Sequence, residues 1–360
     1  MNKIPREHLV KLIEAGIQAP SADNGQPWKF KLLEDGFELW LDQDNMGLFF
    51  DVKQVATQIS CGALIENVVT LANALGLATH IRYLNDSSDK FAVLTFKYLG
   101  GQEKVDIDDA NQTIFGRCTD RSLFQFKKKI PDTLMAELAS LVQSDEYCLH
   151  TYKSPKERKT IIQTVTATDT IRFIHERIHN DFYKVLRFGK TAEQTRDGLA
   201  SATLGIESFM IPILQLLRPW KLAKLLNYIG LHHVMAFRGT WLPMKSAPEI
   251  VSIIHKGKAD YVGSGRVMQR FWLQANKAGL SVQPLGALPL FLARLHQLQG
   301  EGFTPEQLKN FVALEEEFAD ITRGFNKGDD QLVMLFRLGY GKKQVIRSYR
   351  RDIESFLKSL

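Results

Sequence analysis

Three polar side chains at alternate positions, Arg117, Thr119 and Arg121, place two guanidinium groups and a hydroxyl within five residues. In an extended segment, positions i, i+2 and i+4 point the same way. Such a face suits a phosphate monoester, because arginine binds phosphate through paired hydrogen bonds. The same spacing also suits ion pairs with nearby carboxylates such as Asp108, Asp109 or Asp120. A second polar concentration lies at 19–30, APSADNGQPWKF. Pro20 and Pro27 fix the backbone there, Gly25 loosens it, and Ser21, Asp23, Asn24 and Gln26 add short polar groups. That is more hydrogen-bonding capacity than a turn needs, although a capped helix end followed by a turn also accounts for it.

The elements around these residues follow from periodicity. Leu9, Leu12, Ile13 and Ile17 predict a helix over 7–18, and Trp28, Phe30 and Leu32 predict a strand directly after the loop. Glu34, Asp35 and Gly36 form a hairpin turn before a second strand at 37–41. A long helix at 51–75 carries the stripe Val55, Ile59, Leu64, Val68, Leu71 and Leu75, and Gly76 ends it. Its small residues Ser60, Cys61, Gly62 and Ala63 allow close approach of either another backbone or a flat ring. Strands follow at 79–83 and 91–99 around a polar loop at 85–90. A polar linker at 100–109 separates two halves, with the boundary placed between 108 and 109.

In the second half, helices are expected at 131–142, 160–187 and 305–322, and strands at 250–254 and 332–338. Val267, Phe271, Ala275 and Ala278 mark a further helix that Gly279 ends. Residues 352–360 read as a final helix. His175 and His179 stand four apart, but without a third ligand they read as a solvated helix face rather than a metal site. Residues 206–244 are apolar and aromatic, broken by Pro212, Pro219 and Gly230. Three readings stand for that stretch: a helical lid, an amphipathic surface helix facing anionic lipid through Lys221 and Lys224, and core packing.

Composition narrows the class. The chain has 360 residues, 44% hydrophobic and 24% charged, as in ordinary globular domains. The net charge of +6 comes from scattered rather than massed cations, which argues against a nucleic-acid partner. Cys61, Cys118 and Cys148 are too few and too dispersed for a disulfide framework or a zinc site, which leads to a cytoplasmic, reducing setting as the expectation. Neither a signal peptide nor an uninterrupted run of about 20 apolar residues is visible.

The run A-P-S-x-x-N-x-Q-P-W-x-F, carried by Ala19, Pro20, Ser21, Asn24, Gln26, Pro27, Trp28 and Phe30, resembles the signature loop of the FMN-dependent nitroreductase superfamily. In that family the loop lies along the flavin and comes from the partner subunit of a dimer. Arg117, Thr119 and Arg121 resemble the family's R-x-S-x-R element for the FMN phosphate, with Thr119 in place of serine. The family places that element before the signature loop; here it follows. Each half lacks what the other keeps. The resemblance therefore implies a fused pseudo-dimer with one FMN, similar to a divergent branch that includes the mycobacterial Acg-like proteins.

The expected fold is α+β: a nitroreductase-like three-layer α/β/α arrangement with mixed, largely antiparallel sheets in two tandem halves, 1–108 and 109–360, with 206–244 inserted. The resemblance assigns FMN contacts to Pro20, Ser21, Asn24, Gln26, Arg117, Thr119, Arg121, Leu285, Gly286 and Arg350. It implies NAD(P)H as donor and a nitroaromatic, quinone or similar small molecule as acceptor, with no catalytic side chain required. Storage of FMN without turnover is the alternative. Either a monomer or a further homodimer is consistent with the fusion, with peripheral membrane contact through 206–244 as an added option.

Overall fold

A computed structural model describes residues 3–46, 48–84, 89–100, 106–322, 324–341 and 345–358. Most of the polar loop at 85–90, half of the linker at 100–109, and Lys342 and Lys343 lie outside those residues.

The first half runs α1 (Arg6–Gly16), β1 (Trp28–Leu32), β2 (Gly36–Leu41), α2 (Val55–Ala74), β3 (Leu77–Tyr83) and β4 (Lys90–Tyr98). After α3 (Ile107–Gly116) the pattern repeats with insertions. α4 (Asp132–Ser140) and β5 (Tyr147–Thr151) come first. A long excursion follows through α5 (Pro155–Phe173), α6 (Glu176–Val185), β6 (Leu186–Arg187), α7 (Thr191–Thr195) and β7 (Leu199–Ala200). It continues through α8 (Met210–Leu216), α9 (Trp220–Asn227), α10 (Leu231–Ala236) and α11 (Leu242–Ser246). β8 (Glu249–His255), α12 (Tyr261–Lys277) and β9 (Ser281–Leu285) resume the pattern. A second, shorter excursion, α13 (Ala287–Leu298) and α14 (Pro305–Ile321), precedes β10 (Gln331–Gly339).

With both excursions removed, the halves have one topology. The first sheet is ordered β1-β2-β4-β3 and the second β5-β8-β10-β9, both antiparallel throughout. Among the described residues, parallel pairing is confined to the short β6–β7 ladder and to one bridge, Phe30 with Leu357. The expected α+β class with largely antiparallel sheets is what forms. The expected division at 108/109 falls inside α3, whose start is fixed by Asp106 accepting from the backbone of Asp108 and Asp109.

α2 and α12 cross at the centre. Nearly every residue of α2 from Val55 to Val68 is buried, so its largely apolar composition serves a core. The small residues read from the sequence face a backbone. A Cβ on Gly62 would lie 2.1 Å from the Val262 carbonyl, and one on Gly265 would lie 2.1 Å from the Ile59 carbonyl. These contacts are reciprocal, as expected at a local pseudo-two-fold. Buried Glu66 of α2 accepts from Arg266 (3.0 Å) and Arg270 (2.7 Å), and Gln269 donates to Asn67 (2.8 Å). One apolar core runs through the crossing, from Leu12 and Phe30 in the first half to Phe271 and Phe336 in the second.

The C-terminal segment ties the halves a second time. Lys358 N donates to Phe30 O (2.7 Å), and Phe356 is buried below the edge of β1. The expected terminal helix is therefore a single turn, Ile353–Phe356, followed by this bridge. The helix expected at 160–187 is also two: His175 leaves the helical path and caps α6 through its own ring, accepting from Ile178 N. The rings of His175 and His179 bond the carbonyls of Gly302 (2.8 Å) and Arg218 (3.0 Å), so they bridge elements and are not a solvated face. Residues 206–244 form short helices, α8 to α10, and a wide turn at Phe237–Trp241.

Alanine at Gly62 or Gly265 forces two helix backbones apart. Each substitution should lower stability by about 1–3 kcal/mol or more. Gly116→Ala, with open space at its Cβ, should leave stability unchanged or slightly raised. Denaturant unfolding of the three variants checks this ordering.

Candidate functional site

The loop between α1 and β1 is shaped by left-handed backbone. Asp23, Asn24 and Gln26 have φ of 51°, 56° and 53°. Asp and Asn tolerate that region; glutamine does so less readily, and its side chain is correspondingly well anchored. Gln26 is fully buried: its amide donates to Arg196 O (2.9 Å) and its Oε1 accepts from Arg351 N (3.0 Å). Ser21 Oγ accepts from Gln26 N (3.0 Å). Asn24 donates to Gly198 O and Tyr349 O (both 3.1 Å), and its Oδ1 accepts from Arg350 (2.8 Å). All the partners of Asn24 and Gln26 outside the loop belong to the second half. The two amides therefore clamp the loop to the second half.

Arg350 belongs to the same clamp. It donates to the carbonyls of Ile17 (2.9 Å), Gln18 (3.1 Å), Ala19 (3.1 Å) and Tyr349 (3.0 Å) as well as to Asn24. Its Nε and Nη2 close the C-terminus of α1, where the helix dipole and the orphan carbonyls favour a cation, while Nη1 holds Asn24 and Tyr349. Burial brings its pKa down to about 10.

Arg117 reaches the same helix end. Its Nη2 donates to Gln18 O (3.1 Å), and its guanidinium lies 4.5 Å from the centre of the Trp272 ring. Its Nε is buried without a partner. Burial, reinforced by the Arg350 charge, brings the Arg117 pKa down to about 9. Among the described residues neither Arg117 nor Arg121 pairs with Asp108, Asp109 or Asp120; Asp109 instead holds Lys277 (2.6 Å). The ion-pair alternative to an anion site is thus not what forms.

Arg121 points elsewhere. It donates to Thr203 O (3.0 Å), and Gly205 at φ 69° lets the chain pass directly against its backbone. Its charge neighbours are Asp23 and Arg172, whereas those of Arg117 are Arg350 and Arg347. The two guanidiniums thus bond different parts of the chain, Arg117 the Gln18 carbonyl and Arg121 the Thr203 carbonyl. Half-buried Thr119 lies between them. Backbone bonds fix the segment: Cys118 N to Asn276 Oδ1 (3.0 Å), Asp120 N to Val282 O (2.9 Å), and Ser122 O from Arg337 (2.7 Å). Buried Asp120 Oδ2 and Ser122 Oγ have no partner.

Asp23 brings the loop to the arginine element. Burial holds its carboxyl above the usual carboxylate range, against the pull of Arg172 and Arg121. Asp181, which also acts on it, lines a cleft of about 640 Å³ with His175, Arg177, Asn180 and Lys184. Leu285 and Gly286 lie at the end of β9, the strand that bonds Asp120, and Gly286 has open space where a Cβ would be. Pro20 is half-buried at the loop entrance. Sequence reasoning missed Asp23, Arg172 and the 196–205 strip that covers Arg121. The Asp-Asn pair in a loop was a readable signal for left-handed backbone; nothing in the sequence marked the other two.

Residues 1–43 match the family model described as "Nitroreductase family". "Uncharacterized protein MT1398" of Mycobacterium tuberculosis (strain CDC 1551 / Oshkosh) is 22% identical over 340 residues, covering 94% of this chain. The chain spans only 46% of that relative's length. Among solved structures, an FMN-bound nitroreductase from Desulfitobacterium hafniense aligns at TM-score 0.39 and 13% identity, over 70% of this chain and 98% of its own. The NADPH complex of the nitroreductase NfnB from Mycobacterium smegmatis aligns at 0.36 and 13%, over 70% and 98%. A BluB-like flavoprotein from Clostridium difficile aligns at 0.38 and 12%, over 72% and 100%.

A single ammonium cannot reach the carbonyls that Arg350 holds. Arg350→Lys should therefore cost about 2 kcal/mol or more of stability, since each charged hydrogen bond is worth about 1.5–3 kcal/mol. Thermal unfolding without any added ligand checks it. An unchanged midpoint would return Arg350 to a ligand-binding role.

Proposed function

We propose that this chain, nitroreductase-family sequence over residues 1–43, binds one FMN between its halves and passes electrons from NAD(P)H to a small acceptor. The observation that carries the reading is the approach of the second half's arginine element to the base of the first half's loop, where Arg117 Nη2 donates to Gln18 O (3.1 Å) one residue before the 19–30 stretch. The residues suit the cofactor. The orphaned Nε of Arg117, the sparsely bonded Arg121 and the half-buried Thr119 form a cationic, donor-rich strip with no carboxylate within salt-bridge distance among the described residues, which suits a phosphate monoester.

Arg117, Thr119 and Arg121 would hold the phosphate end, and Pro20 and Ser21 would lie along the cofactor. Asn24, Gln26 and Arg350 position that loop. Burial raises the pKa of Asp23 above that of an exposed aspartate, against the opposing charges of Arg172 and Arg121. The amides at Leu285 and Gly286 would supply donors to the ring edge. FMN, when bound, supplies the redox chemistry, and the protein supplies binding, orientation and shielding. Two halves of one chain thus do what two subunits do in a homodimer. This is the arrangement of a fused branch of the superfamily.

Arg121→Ala and Ser21→Ala stand in different halves. Both should weaken the same site in a fluorescence titration with FMN, Arg121→Ala by about tenfold or more and Ser21→Ala by less. Unchanged affinity in either variant would break the pairing. Anaerobic addition of NADPH, then NADH, should bleach the bound flavin; flavin that stays oxidised with both would favour storage over turnover.

A further inference from the structure

α8, α9 and α10 have apolar side chains on two sides. The inner side is used: Leu214, Leu217 and Leu226 pack with Tyr183 and Leu186 in a satellite cluster. The outer side is not. On α8, Phe209, Ile213 and Leu216 recur at i, i+4 and i+7 and are exposed, Phe209 to 71%. On α9 and the turn after it, Leu225, Tyr228 and Ile229 are exposed, the last two to 79% and 82%. Val234 and Phe237 continue the pattern on α10 and its end. Eight large apolar side chains exposed within 29 residues exceed what isolated surface hydrophobes explain, and such a patch marks an interaction site.

The charge on this patch is one-sided. Residues 208–248 contain five cations, Arg218, Lys221, Lys224, Arg238 and Lys245, and no Asp or Glu. Arg238 is committed to Glu207 (2.7 Å), whereas Arg218, Lys221 and Lys224 are exposed. Lys221 shares the outward stripe of Leu225 and Tyr228, at i, i+4 and i+7. Seven, eight and six residues are far short of the roughly 20 that span a bilayer. An isologous contact with a second copy would set Lys221 and Lys224 against cations, with no carboxylate of the patch to receive them.

We propose that α8 to α10 dock the protein on an anionic lipid bilayer. The helices lie in the interface plane, with Phe209, Leu216, Leu225 and Ile229 at the acyl boundary and Lys221 and Lys224 extended to the headgroups. The inference is independent of the flavin site, because no residue of that site belongs to the patch.

Co-sedimentation of the full chain with vesicles tests it, using phosphatidylcholine alone and phosphatidylcholine mixed with phosphatidylglycerol. The chain should pellet with the mixed vesicles, much less with phosphatidylcholine alone, and less as salt rises. Two double variants change exposed side chains only: Leu225→Ser with Ile229→Ser, and Lys221→Glu with Lys224→Glu. Each should lower partitioning about tenfold or more with an unchanged circular-dichroism spectrum. Absence of binding to mixed vesicles at low salt would overturn the proposal, as would binding that both variants leave intact. A concentration-dependent dimer without lipid, abolished by the Leu225→Ser, Ile229→Ser pair, would assign the patch to a second copy instead.

Discussion

The crossing of α2 with α12 is the contact on which the rest of the molecule depends. Two glycines, one from each helix, sit against the other helix's carbonyls, so the axes approach as closely as backbones allow. That approach buries α2 almost completely and lets a single apolar core serve both sheets. It is expensive in sequence freedom, because neither glycine tolerates a Cβ. It also buries Glu66, whose charge is met by Arg266 and Arg270 from the opposite helix, so that the register of the crossing is specified electrostatically as well as sterically.

Close packing of the halves brings the 19–30 loop within reach of the second half's tail and of the 117–121 element. The clamp is made of neutral amides and saturated guanidiniums: Asn24, Gln26 and Arg350 have few bonds left to give. Arg117 and Arg121 differ in that respect. They are cations held out of full solvent, one with an orphaned donor and one beside a carboxyl whose ionisation burial opposes. Buried polar atoms without partners are costly, and Arg117 Nε, Asp120 Oδ2 and Ser122 Oγ are three of them within six residues.

Much of the fold was legible because its signals are local. Alternation in Trp28-Lys29-Phe30 gave β1, the apolar stripe gave α2, and the small residues gave the close approach, though not which partner would fill it. The repeat of topology was legible only indirectly, through the separated motifs, because the excursion between β5 and β8 interrupts the second copy. What the sequence hid was long-range or strained. The split of α5 from α6 depends on His175 finding Gly302, 127 residues away. The parallel bridge at Leu357 depends on an edge strand in the other half. Arg350 was assigned to the cofactor by resemblance alone; its bonds to the carbonyls that follow α1, more than 300 residues away in sequence, could not be read from the chain.

The central claim is that the two halves share one flavin site rather than carry one each. Reconstituting the purified chain with excess FMN, removing the unbound fraction, and measuring flavin absorbance against protein concentration tests it most directly. The account predicts one FMN per chain. Two per chain would mean that each half completes a site of its own, and none would mean that the cationic strip at Arg117 and Arg121 holds a different ligand.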